Sequence, residues 1–382
     1  MIKRLIACTL LFICAALAQA EQSLIPAPPQ LAATAYILVD AHTGQVLVEH
    51  DADKQVPPAS LTKMMTAYIV SEEIEKGSIK ETDQVRISEK AWRKGGSKMF
   101  VKVGNKVPVI DLLRGVIVQS GNDASIALAE HVSGSEEVFA EVMNQQAELL
   151  GMRDTHFVNA TGWPAEGHLT TARDLATLAR AVIADHPQHY DIYSEKYFSY
   201  AGINQPNRNR LLWRDPSVDG LKTGHTEAAG YCLVASAVKR GMRLIAVVLG
   251  TDSDEKRAAE TQKLLAYGFR YFQTHKVYSK DDILQTERVW GGKSAQVGIS
   301  VQEDVFVTIP RGGEENIKAD LIIDGELEAP LEKGQPVGKV VVTLDGETVA
   351  DIPAVAAEEV EKAGFFKRIW DSIKRFVMGL FS

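Results

Sequence analysis

Apolar and polar positions alternate with two different periods along the first two thirds of the chain. The stretch TAYILVDAHTGQVLVEHDAD holds two alternating apolar runs around a turn, which predicts a β-hairpin. Helical spacing follows in LTKMMTAYIVSEEIEKG, which ends at Gly77, and in VPVIDLLRGVIVQSGNDASIALAEHV, which breaks at residues 120–122. Helical spacing also marks SEEVFAEVMNQQAELLG and TTARDLATLARAVIADHP.

From Val218 the period becomes that of strands, and a hairpin is predicted to turn at residues 239–241. The segment EKRAAETQKLLAYGFRYFQTH then predicts a closing helix. Strands, a helical block, further strands and a final helix favour an α/β (α+β) domain with an antiparallel sheet, rather than alternating βαβ units. We place this domain at residues 21–275.

Residues 276–356 have a different pattern. Only short β-prone runs occur, separated by Gly, Pro and Asp-Gly turns: RVWGG, SAQVGIS, VFVTIP, IKADLIID and VGKVVVTLDGETVADIP. This pattern predicts a small all-β sandwich domain. The region contains no convincing catalytic cluster, and the acidic segment AVAAEEVEK links it to the chain end.

Residues 1–20 have the pattern of a signal peptide. The basic MIKR precedes the apolar LIACTLLFICAAL and the small-residue site AQA. An uncleaved membrane anchor is the alternative, but the apolar run is short for a membrane span. Cleavage would remove Cys8 and Cys14 and place the mature chain outside the cytoplasm, leaving Cys232 alone in an apolar run, where we expect it to be buried.

Residues 357–382 comprise the linker end and an amphipathic helix. One helical face is apolar, at positions 365, 366, 369, 370, 373, 376, 377, 380 and 381. The other face carries Lys367, Arg368, Asp371, Lys374 and Arg375. The segment is too polar to span a bilayer, so we predict a helix that lies in the membrane interface, with docking on the protein itself as the alternative.

The composition of the chain limits the classes of function that it can have. The chain has 382 residues, 45% of them hydrophobic and 24% charged, which fits two or three globular domains. A formal net charge of -8 argues against a nucleic-acid partner. The nine histidines show no metal-ligand spacing, and we expect His186 and His189 at the surface near a helix end. No metal and no cofactor are predicted.

The candidate chemistry begins in PPASLTKMMT. Taken alone, Ser60 and Lys63 are compatible with a capped helix and a solvated lysine. Three residues along a helix nevertheless put both side chains on one face. A serine hydroxyl becomes a good nucleophile when a neighbour takes its proton, and a lysine can do this if burial lowers its pKa.

Two further motifs follow in order. Ser120-Gly121-Asn122 lies at a helix break and Lys222-Thr223-Gly224 on a strand edge, and each alone would suggest a turn. S-x-x-K, S-x-N and K-T-G in this order are the signature of penicilloyl-serine enzymes. Five segments point to one family: PASLTKMMTAY, SGNDAS, NRNRLLW, VDGLKTGHTEAAGY and KLLAYGFRYF. In these segments the chain resembles low-molecular-weight penicillin-binding proteins that are D-alanyl-D-alanine carboxypeptidases.

The resemblance covers nearly the whole chain and implies a mechanism. Ser60 would attack the carbonyl between the terminal D-alanines of a peptidoglycan pentapeptide, and a neutral Lys63 would accept its proton. The backbone N–H groups of Ser60 and His225 would hold the oxyanion. Ser120 would pass a proton to the departing D-alanine, and Asn122 would hold the acyl amide.

The resemblance also implies substrate-binding residues. Lys222, Thr223 and Gly224 would serve the terminal carboxylate, and the backbone of His225 is favoured over its side chain. Arg208 and Arg257 would attract the carboxylate or support the strand, with surface salt bridging as the alternative. β-Lactams would acylate Ser60, and the terminal helix would attach a periplasmic protein to the outer face of the inner membrane.

Particular sequence features argue against three rival functions. A class A β-lactamase would need a glutamate in an E-x-x-L-N pattern, whereas Glu166 stands in EGHLT. A penicillin-sensing receptor would need true transmembrane helices, and a purely structural binding protein would not need the three motifs. D,D-endopeptidase or transpeptidase activity uses the same site and stays open.

Overall fold

The computed structural model describes residues 25–280 and 282–379. The predicted signal peptide, residues 1–20, lies outside the described residues. So do positions 380 and 381 of the predicted apolar stripe. The described chain forms two compact units, one of Pro28–Ile283 with Ser300–Thr308, and one formed mainly by Leu284–Ile299 and residues 309–379.

Strands occur in both units. In chain order they are β1 (Ala35–Asp40), β2 (Val46–His50), β3 (Gln84–Arg86), β4 (Lys106–Pro108), β5 (Tyr197–Tyr200), β6 (Ile203–Pro206), β7 (Val218–Thr226), β8 (Gly230–Lys239), β9 (Met242–Thr251), β10 (Phe272–Tyr278), β11 (Gln285–Trp290), β12 (Gln296–Val301), β13 (Val305–Pro310), β14 (Ile317–Ile323), β15 (Leu327–Glu328), β16 (Pro336–Leu344) and β17 (Glu347–Ala356).

The helices are concentrated in the first unit. In chain order they are α1 (Lys63–Glu75), α2 (Glu89–Arg93), α3 (Val109–Val118), α4 (Asn122–Ser133), α5 (Glu136–Leu149), α6 (Ala172–Asp185), α7 (Pro187–Tyr190), α8 (Leu211–Arg214), α9 (Asp254–Tyr271) and α10 (Phe365–Gly379). Three-residue or four-residue 3-10 turns lie at Ala59–Thr62, Asp191–Ser194 and Glu314–Asn316.

A five-stranded sheet organises the first unit, with strand order β2-β1-β9-β8-β7. Neighbouring strands pair antiparallel, and β1 pairs with β2 as the predicted hairpin. Helices α6 and α9 pack against β9. Because β7 lies at the edge of the sheet, no strand of the described residues pairs with one side of the strand that carries Lys222-Thr223-Gly224.

The predicted helical block is confirmed around α1, α3 and α4, which pack against one another. The break predicted at residues 120–122 separates α3 from α4, and Gly77, in the left-handed region with φ 74°, follows the end of α1. Fully buried side chains form the core of the block, among them Met64, Met65, Leu112, Leu113 and Ile126. Burying each such side chain stabilises the fold by about 1.5–3 kcal/mol.

Two expectations were wrong in detail, and four short strands were not predicted. The closing helix ends at Tyr271, and Phe272–Tyr278 is a strand, because it is rich in aromatic and β-branched residues, which favour strands. His186 and His189 are buried, 5% and 4% exposed, where each ring approaches a glutamate. The short strands β3 to β6 have too few residues for a recognisable alternation.

The second unit confirms the predicted β-rich region. Its six-stranded sheet has the order β14-β16-β17-β12-β11-β15. Beyond β17, Val360 and Ala363 are buried, so the chain stays packed on this unit before α10 begins. Over the described ranges, no helix combines the length and the apolar character needed to cross a membrane.

Candidate active site

The serine of S-x-x-K lies in the 3-10 turn that precedes α1. Ala59 has a φ of 49°, which redirects the backbone immediately before Ser60. A 3-10 turn has three residues per turn, so Ser60 and Lys63 lie one above the other. Their Oγ and Nζ atoms are 3.1 Å apart, and the Lys63 side chain is only 1% exposed. The pair predicted from the sequence is therefore in hydrogen-bond contact.

Two further oxygens surround the Lys63 amine. Nζ donates to Oδ1 of Asn122 at 2.7 Å and to the carbonyl oxygen of Thr161 at 2.5 Å. Burial lowers the pKa of Lys63 to about 7, and the positive charge of Arg208 adds to this effect. A neutral amine has two N–H bonds and one lone pair. With both N–H bonds directed at these carbonyls, the lone pair can accept the Ser60 proton.

The second motif lies in the turn between α3 and α4. Ser120 has a φ of 62°, an uncommon backbone conformation for a non-glycine residue. Lys222 on β7 donates from Nζ to Oγ of Ser120 at 2.8 Å. Burial and the nearby charge of Lys63 hold the pKa of Lys222 well below its usual range. The three motifs thus meet in one cluster, with a lysine against each serine.

Asp123 fixes this turn and was not predicted as a functional residue. Its carboxylate is fully buried and accepts backbone N–H bonds from Met99, Phe100 and Val101 at 2.8–3.2 Å. It also accepts from the N–H of Ala124. The sequence does show an aspartate directly after Ser-Gly-Asn, which could have marked Asp123 as a candidate. It does not show which distant backbone N–H groups this carboxylate would bind.

A loop after α5 supplies the Thr161 carbonyl, and no sequence pattern indicated this role. Oδ1 of Asn159 accepts N–H bonds from Thr161 and Gly162 at 3.1 and 2.9 Å, and from Trp163 at 3.1 Å. Gly162 has a φ of 79°, and a Cβ added there would lie 1.7 Å from the carbonyl oxygen of Ala59. The loop therefore lies directly against the turn that carries Ser60.

His168 connects the same loop to the nucleophile turn. Its Nδ1 accepts from the N–H of Val158 at 3.1 Å, which leaves Nε2 to donate to Oγ1 of Thr62 at 2.9 Å. Burial lowers the pKa of His168 to about 4, with smaller effects from the charges of His156 and Lys63. Neutral His168 is thus a fixed link between the loop and the residue next to Lys63.

The edge strand β7 carries the third motif and its neighbours. Thr223 and Gly224 are buried, and a Cβ at Gly224 would meet Pro58 and Leu61 at 3.2 Å, so glycine permits close approach to the Ser60 turn. His225 is exposed, with its ring 4.0 Å from that of Tyr231.

The two candidate arginines differ. Arg257 is buried, donates to the carbonyl oxygen of Gly224 at 3.2 Å and pairs with Asp254. Arg208 is exposed and forms no hydrogen bond or ion pair with residues that the structure describes. Desolvation lowers the pKa of both guanidinium groups, although the Arg208 side chain keeps access to solvent. Arg257 therefore supports β7, whereas Arg208 is a free cation beside the cluster.

Within residues 25–280 and 282–379, no three His, Cys, Asp or Glu side chains are arranged to hold a metal ion. Cys232 is buried as expected, 1% exposed, and burial raises the pKa of its thiol to about 11.

Comparison with known proteins agrees with this geometry. The family described as D-alanyl-D-alanine carboxypeptidase matches residues 22–253, and the family described as penicillin-binding protein 5, C-terminal domain, matches residues 272–362. D-alanyl-D-alanine carboxypeptidase DacA of Escherichia coli (strain K12) is 45% identical over 92% of this chain and 90% of the relative. DacC of the same strain is 46% identical over 95% and 92%.

Solved structures of similar chains indicate the same family. Penicillin binding protein 5 from Haemophilus influenzae is 43% identical and matches with a TM-score of 0.83 over 88% of this chain and 100% of that chain. Penicillin-Binding Protein D2 from Listeria monocytogenes, in its ampicillin bound form, is 33% identical, with a TM-score of 0.59 over 63% and 100%. The predicted fold class and family resemblance are confirmed, and this chain belongs to the D-alanyl-D-alanine carboxypeptidase family.

Proposed function

We propose that the chain is a serine-type D-alanyl-D-alanine carboxypeptidase that removes the terminal D-alanine from peptidoglycan pentapeptide stems. The observation that carries the proposal is the 3.1 Å contact between Oγ of Ser60 and the buried amine of Lys63. A lysine with a pKa of about 7 is a base matched to neutral pH. Membership of the family supplies the substrate class.

The acylation step uses Ser60, Lys63 and Ser120 from the first two motifs, together with Lys222 and the backbone of His225. Ser60 attacks the carbonyl between the two D-alanines as its proton moves to Lys63. The oxyanion is held by the backbone N–H groups of Ser60 and His225. Ser120 gives its proton to the amine of the departing D-alanine and takes up the proton that Lys63 accepted, so both groups return to their starting state, and Lys222, at 2.8 Å from Oγ of Ser120, favours that transfer.

An acyl-enzyme on Ser60 follows, and water then releases the shortened peptide. Asn122 holds the acyl amide. In the structure described here its Oδ1 contacts Lys63 and its Nδ2 donates to the carbonyl oxygen of Gly95 at 2.7 Å, so binding of the amide exchanges one of these partners. A β-lactam, which resembles the D-Ala-D-Ala end, would acylate Ser60 in the same way.

The terminal carboxylate of the substrate has to be bound by cationic and hydroxyl groups near Ser60. Thr223 offers a hydroxyl, and the unpaired guanidinium of Arg208 offers a charge. Arg257 keeps its role as a support, since its donors already bind Gly224 and Asp254. Gly224 allows β7 to lie directly against the turn that carries Ser60.

The test measures D-alanine release from a pentapeptide that ends in D-Ala-D-Ala, for wild type, Ser60→Ala and Lys63→Ala. We expect release by wild type, none by Ser60→Ala, and a loss of about 100-fold or more for Lys63→Ala, because a general base contributes about 10²–10⁴-fold. After incubation with penicillin, mass spectrometry should detect one covalently bound penicillin molecule in wild type only. A folded wild type that binds penicillin but releases no D-alanine would indicate endopeptidase or transpeptidase activity instead.

We further propose a periplasmic location, with residues 1–20 removed as a signal peptide and α10 lying on the outer face of the inner membrane. The domain boundaries that accompany this proposal are 21–275, 276–356 and 357–382. Large apolar side chains of α10 are exposed to solvent, and they include Phe365, Phe366, Trp370, Ile373 and Phe376. A helix with this face and a cationic opposite face binds anionic lipid surfaces.

Flotation with vesicles of anionic and neutral lipids tests the attachment. Wild type is expected to bind anionic vesicles, and Phe366→Asp/Trp370→Asp to remain in solution with unchanged D-alanine release. Equal flotation of both proteins would contradict a membrane role for this helix.

A further inference from the structure

Glu136 is a buried carboxylate that has no role in the steps described so far. It is the first residue of α5 and is only 6% exposed. Burying a carboxylate is unfavourable unless it is paired and hydrogen-bonded, so its partners show what it holds together. They are Lys90 of α2, whose Nζ lies 3.1 Å from Oε2, and the backbone N–H of Ala160, which donates to Oε1 at 3.3 Å.

Ala160 directly precedes Thr161 and is held from two sides. Its N–H donates to Glu136, and its carbonyl oxygen accepts from Oγ1 of Thr66 at 2.8 Å. Thr66 lies one turn after Lys63 on α1 and is fully buried. Both polar groups of the Ala160 backbone are therefore bound, one by α5 and one by α1. These two bonds fix the position of the next carbonyl, that of Thr161, against the Lys63 amine.

Lys90 connects Glu136 to the other acceptor of the amine. The segment that follows α2 contains Gly95, whose carbonyl oxygen accepts from Nδ2 of Asn122 at 2.7 Å. Oδ1 of Asn122 in turn accepts from the Lys63 amine. The two oxygens that bind this amine therefore depend on two segments of the chain, the loop after α5 and the segment after α2, and Glu136 binds both of them.

We propose that Glu136 is a positioning residue for the general base, because it holds both acceptors of the Lys63 amine in place. It acts through the N–H of Ala160 and the ammonium of Lys90, and not through a bond to a reacting atom. The proposal rests on the proposed function, in which Lys63 takes the proton of the nucleophile, and adds to it a residue that lies outside the three motifs.

The charge of Glu136 provides a second readout. Burial has the largest effect on the pKa of Lys63 and lowers it, and the charges of Arg208 and Lys94 lower it further. The charges of Asp123 and Glu136 act in the opposite direction. Removing the Glu136 charge should therefore lower the pKa of Lys63, by up to about one unit, since larger shifts need an opposite charge within about 4–6 Å. Acylation should then reach its half-maximal rate at a lower pH.

The test measures acylation by penicillin from pH 5 to pH 9, and D-alanine release from a pentapeptide that ends in D-Ala-D-Ala. Glu136→Ala has no acceptor for the Ala160 N–H, so the loop can move away from Lys63. We expect its maximal acylation rate and its kcat to fall by about 10-fold with KM unchanged. Glu136→Gln keeps an oxygen acceptor, so its maximal rate should stay within about twofold of wild type while its midpoint moves to a lower pH.

Glu137 provides the matched control at the adjacent position. It pairs with the same Lys90, at 2.7 Å, but its side chain is 74% exposed. Among the residues that the structure describes, it forms no hydrogen bond with the loop that carries Thr161. We expect Glu137→Ala and Glu137→Gln to match wild type in maximal rate, KM and midpoint, because water and salt screen an exposed charge. The control separates the contact with Ala160 from the ion pair with Lys90.

The outcomes separate the positioning role from the enzyme. A wild-type maximal rate in Glu136→Ala, or an equal loss in Glu137→Ala, would overturn the proposal. If circular dichroism shows that Glu136→Ala is unfolded, Glu136→Asp decides in its place. Aspartate keeps the charge but is one CH₂ shorter, so it cannot reach both partners and should also acylate about 10-fold more slowly, whereas a wild-type rate would overturn the proposal. Acylation of wild type by penicillin without D-alanine release would contradict the proposed function and leave the penicillin assay to test Glu136.

Discussion

Nζ of Lys63 and the carbonyl oxygen of Thr161 are 2.5 Å apart, although 98 residues separate them in the chain. Together with Oδ1 of Asn122, this carbonyl takes up the N–H bonds of the amine. The geometry suits a neutral lysine, whose lone pair remains for the Ser60 hydroxyl, and explains how a fully buried lysine can lie beside the nucleophile without a carboxylate partner.

The pH dependence of acylation follows from this arrangement. The pKa of Lys63 is lowered to about 7, chiefly by burial, so the neutral fraction increases as pH rises through that value. We expect the rate of acylation by penicillin to rise from pH 5 to pH 9 with a midpoint near 7. Stopped-flow measurements with a fluorescent penicillin would show this profile. A pH-independent rate over that interval would contradict Lys63 as the base.

Lys63→Arg is the control for that profile. A guanidinium keeps the positive charge and stays protonated at every accessible pH, so it cannot accept the Ser60 proton. We expect acylation to fall by about 100-fold or more at pH 9 as well as at pH 6, because the contribution of general-base catalysis is lost.

The sequence predicted the three motifs because each is local: a turn before a helix, a helix break and a strand edge. It also predicted that they would meet, through the resemblance to a family. It did not predict Thr161, Asn159 or His168, which lie in a loop without regular structure. Thr161 acts through its backbone carbonyl, whereas the side chains of Asn159 and His168 bind backbone N–H groups of the same loop. A carbonyl oxygen has no sequence signature, so its role becomes visible only when the loop lies against Lys63.

The fold was predictable to a similar extent. Long periodic segments such as α5 and the β8–β9 hairpin were located correctly, because their burial patterns repeat over many residues. The burial of His186 was missed because it depends on tertiary contacts, with Tyr68 at a ring distance of 4.6 Å and Glu75 at 3.0 Å. A residue at a helix end is exposed or buried according to what packs over it.

Asp123→Asn should destabilise the protein and slow acylation. The carboxylate accepts four backbone N–H bonds, whereas an asparagine offers one oxygen and adds an NH₂ group that has no acceptor there. Unsatisfied buried groups cost about 1–3 kcal/mol each, so the free energy of unfolding should fall by about 2–3 kcal/mol. Urea denaturation would measure this change.

Asp51→Asn is a suitable comparison for that substitution. Asp51 is exposed and has a φ of 45°, a conformation that asparagine tolerates. Its unfolding free energy should stay within about 0.5 kcal/mol of wild type. Equal stability of the two variants would show that the Asp123 carboxylate does not hold the Ser120 turn.

His168 should make stability depend on pH. Its pKa is lowered to about 4 in the fold, against an ordinary value of 6.5, because burial disfavours the charged ring. Between these values the unfolded chain binds a proton that the folded chain does not, so stability falls as pH decreases from 6.5 towards 4. The contribution is about 3 kcal/mol over that window, and it is fully present above pH 6.5.

Denaturant titrations of wild type and His168→Gln at pH 4.5 and 7 would isolate this contribution. Glutamine can keep one bond to Thr62 or to the Val158 N–H but does not titrate. The difference in stability between the two pH values should therefore be smaller in His168→Gln than in wild type. The same pH dependence in both proteins would exclude His168 as its source.

Gly162→Ala tests the contact between the loop and the nucleophile turn. The added Cβ would lie 1.7 Å from the carbonyl oxygen of Ala59, so either the loop or the Ser60 turn must move. Gly167→Ala provides the matched control: its φ of 76° is close to the 79° of Gly162, and its Cβ would meet nothing within 4 Å. Both alanines carry the same left-handed strain, about 1 kcal/mol.

The difference between these two variants therefore reports the contact alone. We expect Gly167→Ala to acylate with penicillin at the wild-type rate and to lose only a few degrees in Tm. Gly162→Ala should acylate at least about 100-fold more slowly, because a displacement of about 1 Å at a reacting group costs that much. Gly162→Ser keeps the same Cβ clash and should acylate as slowly as Gly162→Ala. Wild-type rates in both Gly162 variants would mean that the loop does not position Ser60.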